Sequence, residues 1–183
     1  MKDLLLVIDM QHVYEPGQPW ACPKIMDACT NIIKLLESGR ADQVIFTRFD
    51  AAEDPAGAWA DYNREYADIN ADPDMARIIA PLEELSKQHT VCSKHTYSSF
   101  AVPEVAEASA RAGHVVVTGV VAECCVLSTV EALIDAGCHV IYLDDAVAGQ
   151  TPELEQMVRQ IISGFSPVHT QVMSTREYLD SLL

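Results

Sequence analysis

Short apolar runs rich in β-branched residues recur along the chain, and each has the length of a buried strand. They are Leu4–Ile8, Val44–Thr47, Thr90–Cys92, Val115–Thr118, Val140–Leu143 and, with a weaker pattern, Val168–Val172. Most of these runs lack the alternation of apolar and polar residues that a half-exposed strand shows. Unbroken apolar strands are typical of a parallel sheet covered on both faces.

Segments with helical spacing of apolar residues lie between most of the strands. After the fourth strand, for example, Val130, Leu133 and Ile134 fall on one side of a helix, and Gly137 ends it as a C-terminal glycine does. Alternating strands and helices predict an α/β fold, a doubly wound three-layer αβα domain. We expect one domain over residues 1–183, with a six-stranded, mainly parallel sheet in the order 3-2-1-4-5-6.

The segment Phe49–Leu85 departs from this alternation, because Asp, Ala, Pro and aromatic residues dominate it. It predicts a long excursion with one helix near Met75–Leu85. Long irregular segments on a rigid scaffold often line a site or an interface. For Trp59, Tyr62 and Tyr66 we expect packing as the main role, with a place in a pocket or a subunit contact as the alternative.

Charge and hydropathy narrow the range of partners. The 183 residues include 12 Lys plus Arg against 27 Asp plus Glu, a net charge of −15, which disfavours nucleic acids and anionic membranes. The apolar run Leu4–Ile8 is too short for a signal peptide or a membrane span. We therefore expect a cytoplasmic protein with a small-molecule substrate.

The six cysteines do not form a recognisable metal or disulfide pattern. They lack a double C-x-x-C spacing, and without a secretion signal we expect reduced thiols, most of them buried in the core. Cys124 and Cys125 stand out because they are adjacent.

Residues that could take part in catalysis lie at the carboxyl ends of the strands, where doubly wound sheets bind ligands. Asp9 follows the first strand, Lys94 follows the third, and Cys124 and Cys125 follow the fourth. A helix beginning near Cys125 would present its free N–H groups and positive dipole end, which favours a thiolate. This argument does not choose between the two thiols.

Three segments in order resemble the isochorismatase-like cysteine hydrolases, which include nicotinamidases and N-carbamoylsarcosine amidohydrolases. They are Leu5–Gln11, Lys94–Phe100 and Gly119–Val126. The family carries an Asp at the end of the first strand, a Lys in a K-x-x-x-S-x-F pattern and a Cys in a G-V-x-T-D-x-C-V pattern. Ala122 and Glu123 replace the usual Thr and Asp of the last pattern, a departure that bears on the substrate.

The resemblance implies a catalytic triad of Asp9, Lys94 and Cys125. Cys125 stands at the nucleophile position, Asp9 is the expected general acid and base, and Lys94 is expected to hold the Asp9 carboxylate. The resemblance also implies an oxyanion hole formed by the N–H groups of Val121 and Cys125, with a cis peptide between Val120 and Val121.

The resemblance further bears on substrate, metal and assembly. Gln11 and Tyr14 stand where family members contact the substrate. The family's nicotinamidases bind a divalent ion through an Asp and several His after the second strand, whereas the segment Thr47–Asp54 contains no His. We therefore expect no metal and no cofactor. Family members commonly form dimers or tetramers, which predicts a homodimer or a homotetramer.

The leading interpretation is a metal-independent cysteine hydrolase that cleaves a C–N bond of a small carboxamide, carbamoyl or ureide compound through a thioester. One alternative is vinyl ether hydrolysis of the isochorismatase type, which uses the Asp and the Lys but not the thiol. Another is a non-enzymatic redox sensor built on Cys124 and Cys125, although adjacent cysteines form a disulfide only with strain.

Overall fold

The computed structural model describes residues 2–181. Six strands form one sheet, in which every pair of neighbours is parallel and the order is 3-2-1-4-5-6. The predicted fold class and strand order are therefore confirmed. The strands are β1 (Asp3–Ile8), β2 (Gln43–Phe49), β3 (Thr90–Lys94), β4 (His114–Val120), β5 (Val140–Ala148) and β6 (Thr170–Met173).

Helices cover both faces of the sheet. They are α1 (Ile25–Ser38), α2 (Ala58–Glu65), α3 (Ala67–Asn70), α4 (Ala80–Ser86), α5 (Pro103–Arg111), α6 (Leu127–Asp135), α7 (Pro152–Ser163) and α8 (Thr175–Asp180). One core cluster joins the sheet to α1, α4 and α8, and the other joins it to α5, α6 and α7. The result is the three-layer arrangement expected from the sequence.

Strand β1 shows why the apolar runs are unbroken. Leu5 and Val7 point into the first core cluster, and Leu4, Leu6 and Ile8 point into the second. All five side chains are buried. Because successive residues of a strand face opposite sides, a central strand between two helical layers needs an apolar residue at every position.

The excursion after β2 differs from its prediction. It contains the two short helices α2 and α3, and the helix expected near Met75–Leu85 begins only at Ala80. Pro81 occupies the first turn of α4, where its missing N–H costs nothing. The residues just before α4 are not helical, and Ile78 among them forms an isolated bridge with Gln11.

A glycine allows the ends of β1 and β4 to approach each other closely. Gly119 pairs with Ile8 and adopts a φ of 106°, and a Cβ at this position would overlap the backbone of Ile8. Only glycine adopts such a conformation without strain. Just beyond this contact, Asp9 itself has a positive φ of 49°. The backbone therefore turns sharply where the candidate acid is placed.

Two buried thiols outside the candidate site predict a loss of stability at alkaline pH. Burial raises the pKa of Cys22 to about 12 and that of Cys29 to about 11. The unfolded chain releases these protons from about pH 8.5, whereas the folded chain keeps them. The stabilisation is complete below pH 8.5 and is lost as the pH rises through 11–12, by up to about 1.4 kcal/mol per pH unit for each thiol.

Urea unfolding at pH 8 and at pH 10.5 measures this loss. We expect the variant Cys22→Ala/Cys29→Ala to show a smaller decrease in the free energy of unfolding between the two pH values. An equal decrease in both proteins would contradict the assignment to these two thiols.

Within residues 2–181, no helix combines the length and the apolar character that crossing a membrane requires.

Candidate active site

Three predicted residues meet at the carboxyl edge of the sheet. Asp9 follows β1, Lys94 is the last residue of β3, and Cys125 lies in the turn after β4. The Nζ atom of Lys94 lies 2.6 Å from Oδ2 of Asp9 and donates a hydrogen bond of 3.4 Å to Sγ of Cys125. It donates a second hydrogen bond, of 2.9 Å, to the carbonyl of Thr96. The ammonium group is thus held by one ion pair and two hydrogen bonds.

Burial couples the ionisation of Asp9, Lys94 and Cys125, so that the charge of Asp9 affects the pKa of Lys94 and that of Cys125. Asp9 is fully buried, and Lys94 and Cys125 are 2% and 3% exposed. Burial alone lowers the pKa of Lys94, but the charges of Asp9 and Cys125 outweigh it and hold that pKa above its ordinary value. Lys94 is therefore an ammonium at neutral pH.

The pKa of the Cys125 thiol shifts in the opposite direction to the one predicted from the helix dipole. Burial raises the pKa of Cys125 well above its ordinary value, the charge of Asp9 raises it further, and Lys94 only partly opposes them. The raised pKa favours the neutral thiol, against the direction expected from the helix dipole, because desolvation in a buried site outweighs a partial dipole charge. The neighbouring charge that raises this pKa most is that of Asp9.

The helical turn that carries Cys125 begins earlier in the chain than the sequence predicted. A π-helical turn spans Ala122–Val126, so the helix begins before Cys125 and both cysteines belong to it. The carbonyl of Val121 accepts the N–H groups of Cys124 and Val126 at 3.1 Å each. These two bonds bracket Cys125 and hold its backbone next to Val121. The peptide between Val120 and Val121 is cis, as the family resemblance implies.

A buried network of hydroxyl groups connects Asp9 to the turn of Cys125. Thr47 donates to Oδ1 of Asp9 at 2.9 Å, and its hydroxyl lies 3.1 Å from that of Ser99. The N–H of Ser99 donates to Thr129 at 2.8 Å, and Thr129 donates to the carbonyl of Cys125 at 2.6 Å. The sequence does not distinguish Thr47, Ser99 and Thr129 from other residues, because Ser and Thr are common in strands, turns and helices and carry no distinctive signal.

The hydroxyl of Thr47 predicts a measurable contribution to stability. The variant Thr47→Val keeps the shape of the side chain but removes a donor from a buried carboxylate. We expect it to lower the free energy of unfolding by about 1.5–3 kcal/mol, as measured by urea denaturation. Thr47→Ser retains the hydroxyl and is the matched control. Equal stability of the two variants would show that this hydrogen bond contributes nothing.

A cavity of about 210 Å³ opens onto Cys125. The side chains around it are mostly aromatic, and they come from the segments after β1, β3 and β5, from the excursion and from the turn after β4. They are Tyr14, Trp20, Tyr62, Tyr66, Tyr97, Val121, Cys124, Cys125 and Gln150. Tyr62 and Tyr66 line the cavity, which is the alternative role expected for them, and their rings also pack against each other with centroids 4.7 Å apart. Trp59 packs behind them, with its ring centroid 5.2 Å from that of Tyr62.

The two predicted substrate-binding residues differ in their surroundings. Tyr14 lines the cavity beside Cys125. Gln11 is buried, and its side-chain amide donates to the carbonyls of Phe49 and Ala76 and accepts the N–H of Phe49. These bonds tie the excursion to the end of β1. The contact of either residue with a substrate stays a prediction.

Comparison with known proteins places this arrangement in a family. The family model of the isochorismatase domain matches residues 3–177. The chain belongs to the isochorismatase family. No curated protein matches the sequence.

Solved structures share the isochorismatase fold across almost the whole chain. An isochorismatase-like hydrolase from Alkaliphilus metalliredigens is 22% identical, with 98% of each chain covered and a TM-score of 0.77. A cysteine hydrolase from Pseudomonas syringae pv. phaseolicola is 23% identical over 97% of this chain and 91% of its own, with a TM-score of 0.82. The nicotinamidase PncA from Bacillus subtilis is 18% identical over 95% of this chain and 100% of its own, with a TM-score of 0.76. At these identities the likeness shows the fold alone.

The residues of this isochorismatase family member do not fit the divalent ion of the family's nicotinamidases. Asp50 follows β2, but its carboxylate accepts a hydrogen bond of 3.0 Å from Arg48, whose positive charge opposes a cation there. Among residues 2–181, no group of three or more His, Cys, Asp or Glu side chains is placed to bind a metal.

Proposed function

We propose that this protein is a cysteine hydrolase that cleaves a C–N bond of a small carboxamide, carbamoyl or ureide substrate through a thioester. The observation that carries the proposal is the position of the Lys94 ammonium between the carboxylate of Asp9 and the sulfur of Cys125. Membership of the isochorismatase family supports it. So does the fold shared with the Bacillus subtilis nicotinamidase, whose name assigns it an amide substrate.

The first half of the reaction forms the thioester. Asp9 accepts the proton of the Cys125 thiol, and the sulfur attacks the carbonyl carbon of the substrate. The tetrahedral intermediate then expels its nitrogen, which takes the proton from Asp9 and leaves as ammonia or an amine. Lys94 remains an ammonium throughout, and its charge stabilises the carboxylate and the transient thiolate.

The oxyanion of the intermediate needs donors that are in place before the reaction. The N–H groups of Val121 and Cys125 are the proposed pair, because the turn that contains both is fixed by the hydrogen bonds to the carbonyl of Val121. Loss of one such donor typically costs about 2.7–4 kcal/mol of transition-state stabilisation.

The second half of the reaction regenerates the enzyme. Asp9 takes a proton from a water molecule as the water attacks the thioester carbonyl, and the resulting intermediate expels the Cys125 thiolate. The thiolate recovers the proton from Asp9. The net reaction consumes one water and releases one acid and one ammonia or amine.

An ammonia-release screen over carboxamides, carbamoyl amino acids and ureides tests the proposed reaction. We expect at least one class to give stoichiometric ammonia, and we expect mass spectrometry of quenched enzyme to show an acyl adduct on Cys125. Hydrolysis of a substrate with no adduct and no dependence on the thiol would contradict the thioester route.

A further inference from the structure

The cavity above Cys125 has an almost continuous aromatic wall. Its five rings belong to Tyr14, Trp20, Tyr62, Tyr66 and Tyr97. The ring centroids of Tyr62 and Tyr66 are 4.7 Å apart, those of Trp20 and Tyr66 are 5.4 Å apart, and those of Tyr14 and Trp20 are 5.9 Å apart. The rings support one another, so that the wall is held in place without a ligand.

Among residues 2–181, the side chains that line the cavity include no basic one. Lys94 lies beneath it, but its ammonium group is already paired with Asp9 and hydrogen-bonded to Cys125 and Thr96. A carboxylate on the substrate would therefore be desolvated without gaining a cationic partner from this chain, which is strongly unfavourable.

A negative charge lies behind the cavity wall. Glu123 precedes Cys124, which lines the cavity, and after burial its charge is the main cause that raises the pKa of Cys124. One carboxylate oxygen of Glu123 accepts the N–H of Gln150 at 3.0 Å, and the other is buried with no hydrogen-bond partner among residues 2–181. The chain as a whole has a net charge of −15. At Cys124 the charge of Glu123 outweighs the opposing charge of Lys94, so the field there favours positive charge.

We propose that this cavity selects a substrate that carries a cationic group, such as an alkylated ammonium or a pyridinium, next to the carbonyl that is cleaved. The faces of Trp and Tyr rings attract cations, most strongly where water is excluded. Only the cleavage part rests on the function proposed above, because the preference for a cation is a property of binding. Substrates with carboxylates, including carbamoyl amino acids and isochorismate, are the class that the cavity rejects.

Three small amides of similar size separate charge from shape. Betaine amide carries a trimethylammonium group, 3,3-dimethylbutanamide carries the uncharged tert-butyl group of the same shape, and succinamate carries a carboxylate. Binding is measured calorimetrically on the variant Cys125→Ala, which cannot form a thioester. We expect betaine amide to bind about 2- to 30-fold more tightly than its uncharged isostere, and succinamate to bind most weakly.

Substitution of a wall residue links the preference to the rings. Tyr66→Leu in the same Cys125→Ala protein should reduce the preference for betaine amide over 3,3-dimethylbutanamide, whereas Tyr66→Phe should retain it. Tyr97 is 37% exposed, and the pair Tyr97→Leu and Tyr97→Phe repeats the comparison at a position that tolerates change.

The outcomes distinguish this inference from the proposed reaction. Equal affinity for the charged and uncharged isosteres, tighter binding of succinamate, or no binding of betaine amide overturns the inference. Tight binding of betaine amide without ammonia release by the unmodified enzyme would support the cation preference while counting against amide hydrolysis. Hydrolysis of uncharged or anionic amides in preference to betaine amide would support the reaction and overturn the inference.

Discussion

Replacement of Cys125 with Ala should reduce ammonia release from any true substrate by more than about 1,000-fold, because the covalent intermediate cannot form without the sulfur. Cys125 is also the residue whose sulfur accepts a hydrogen bond from Lys94. The measurement is kcat for ammonia release, compared at equal protein concentration after circular dichroism has shown that the variant is folded.

The matched control is Cys124→Ser, which changes a thiol that lines the same cavity. It should retain much of the activity, because Cys124 makes no hydrogen bond to Asp9 or Lys94 among the described residues. The reverse result would assign the nucleophile to Cys124. Full activity of Cys125→Ala on isochorismate would instead restore the vinyl ether alternative, and reversible loss of both thiols under mild oxidant would restore the redox sensor.

Replacement of Lys94 with Met should abolish activity and also lower the free energy of unfolding by about 3–5 kcal/mol, which is the range for a buried ion pair that loses one partner. The carboxylate of Asp9 is fully buried, and Lys94 is its cationic partner at 2.6 Å. Urea denaturation measures the change in stability, and the ammonia assay measures the change in activity.

The double variant Asp9→Asn/Lys94→Met separates the two effects. Removing both charges leaves no unpaired ion, so we expect it to regain a large part of the lost stability while remaining inactive. A double variant as unstable as the sum of the two single variants would show that the pair is not energetically coupled. Recovery of activity together with stability would contradict the assignment of Asp9 as the general base.

Part of the site could be predicted from the sequence, and part could not. Asp9, Lys94 and the pair Cys124 and Cys125 were predicted from strand ends, because parallel strands end at one edge of the sheet. The family resemblance then assigned the nucleophile to Cys125. The direction of the shift in the pKa of Cys125 is opposite to the one that the helix dipole predicts. It depends on how completely distant segments bury the sulfur, a quantity that a helix dipole argument does not contain.

The sequence by itself determined the strands, the helices and the placement of Asp9, Lys94 and the adjacent Cys124 and Cys125 after strand ends, because the period of apolar residues and the sites of chain reversal are local properties. The strand order followed from the doubly wound pattern, and the choice of Cys125 followed from the family resemblance. The tertiary structure alone decided the network from Thr47 through Ser99 and Thr129, and the aromatic wall of the cavity. The contacts of both join segments far apart in the chain, so their hydrogen bonds and ring packing exist only once the layers are assembled.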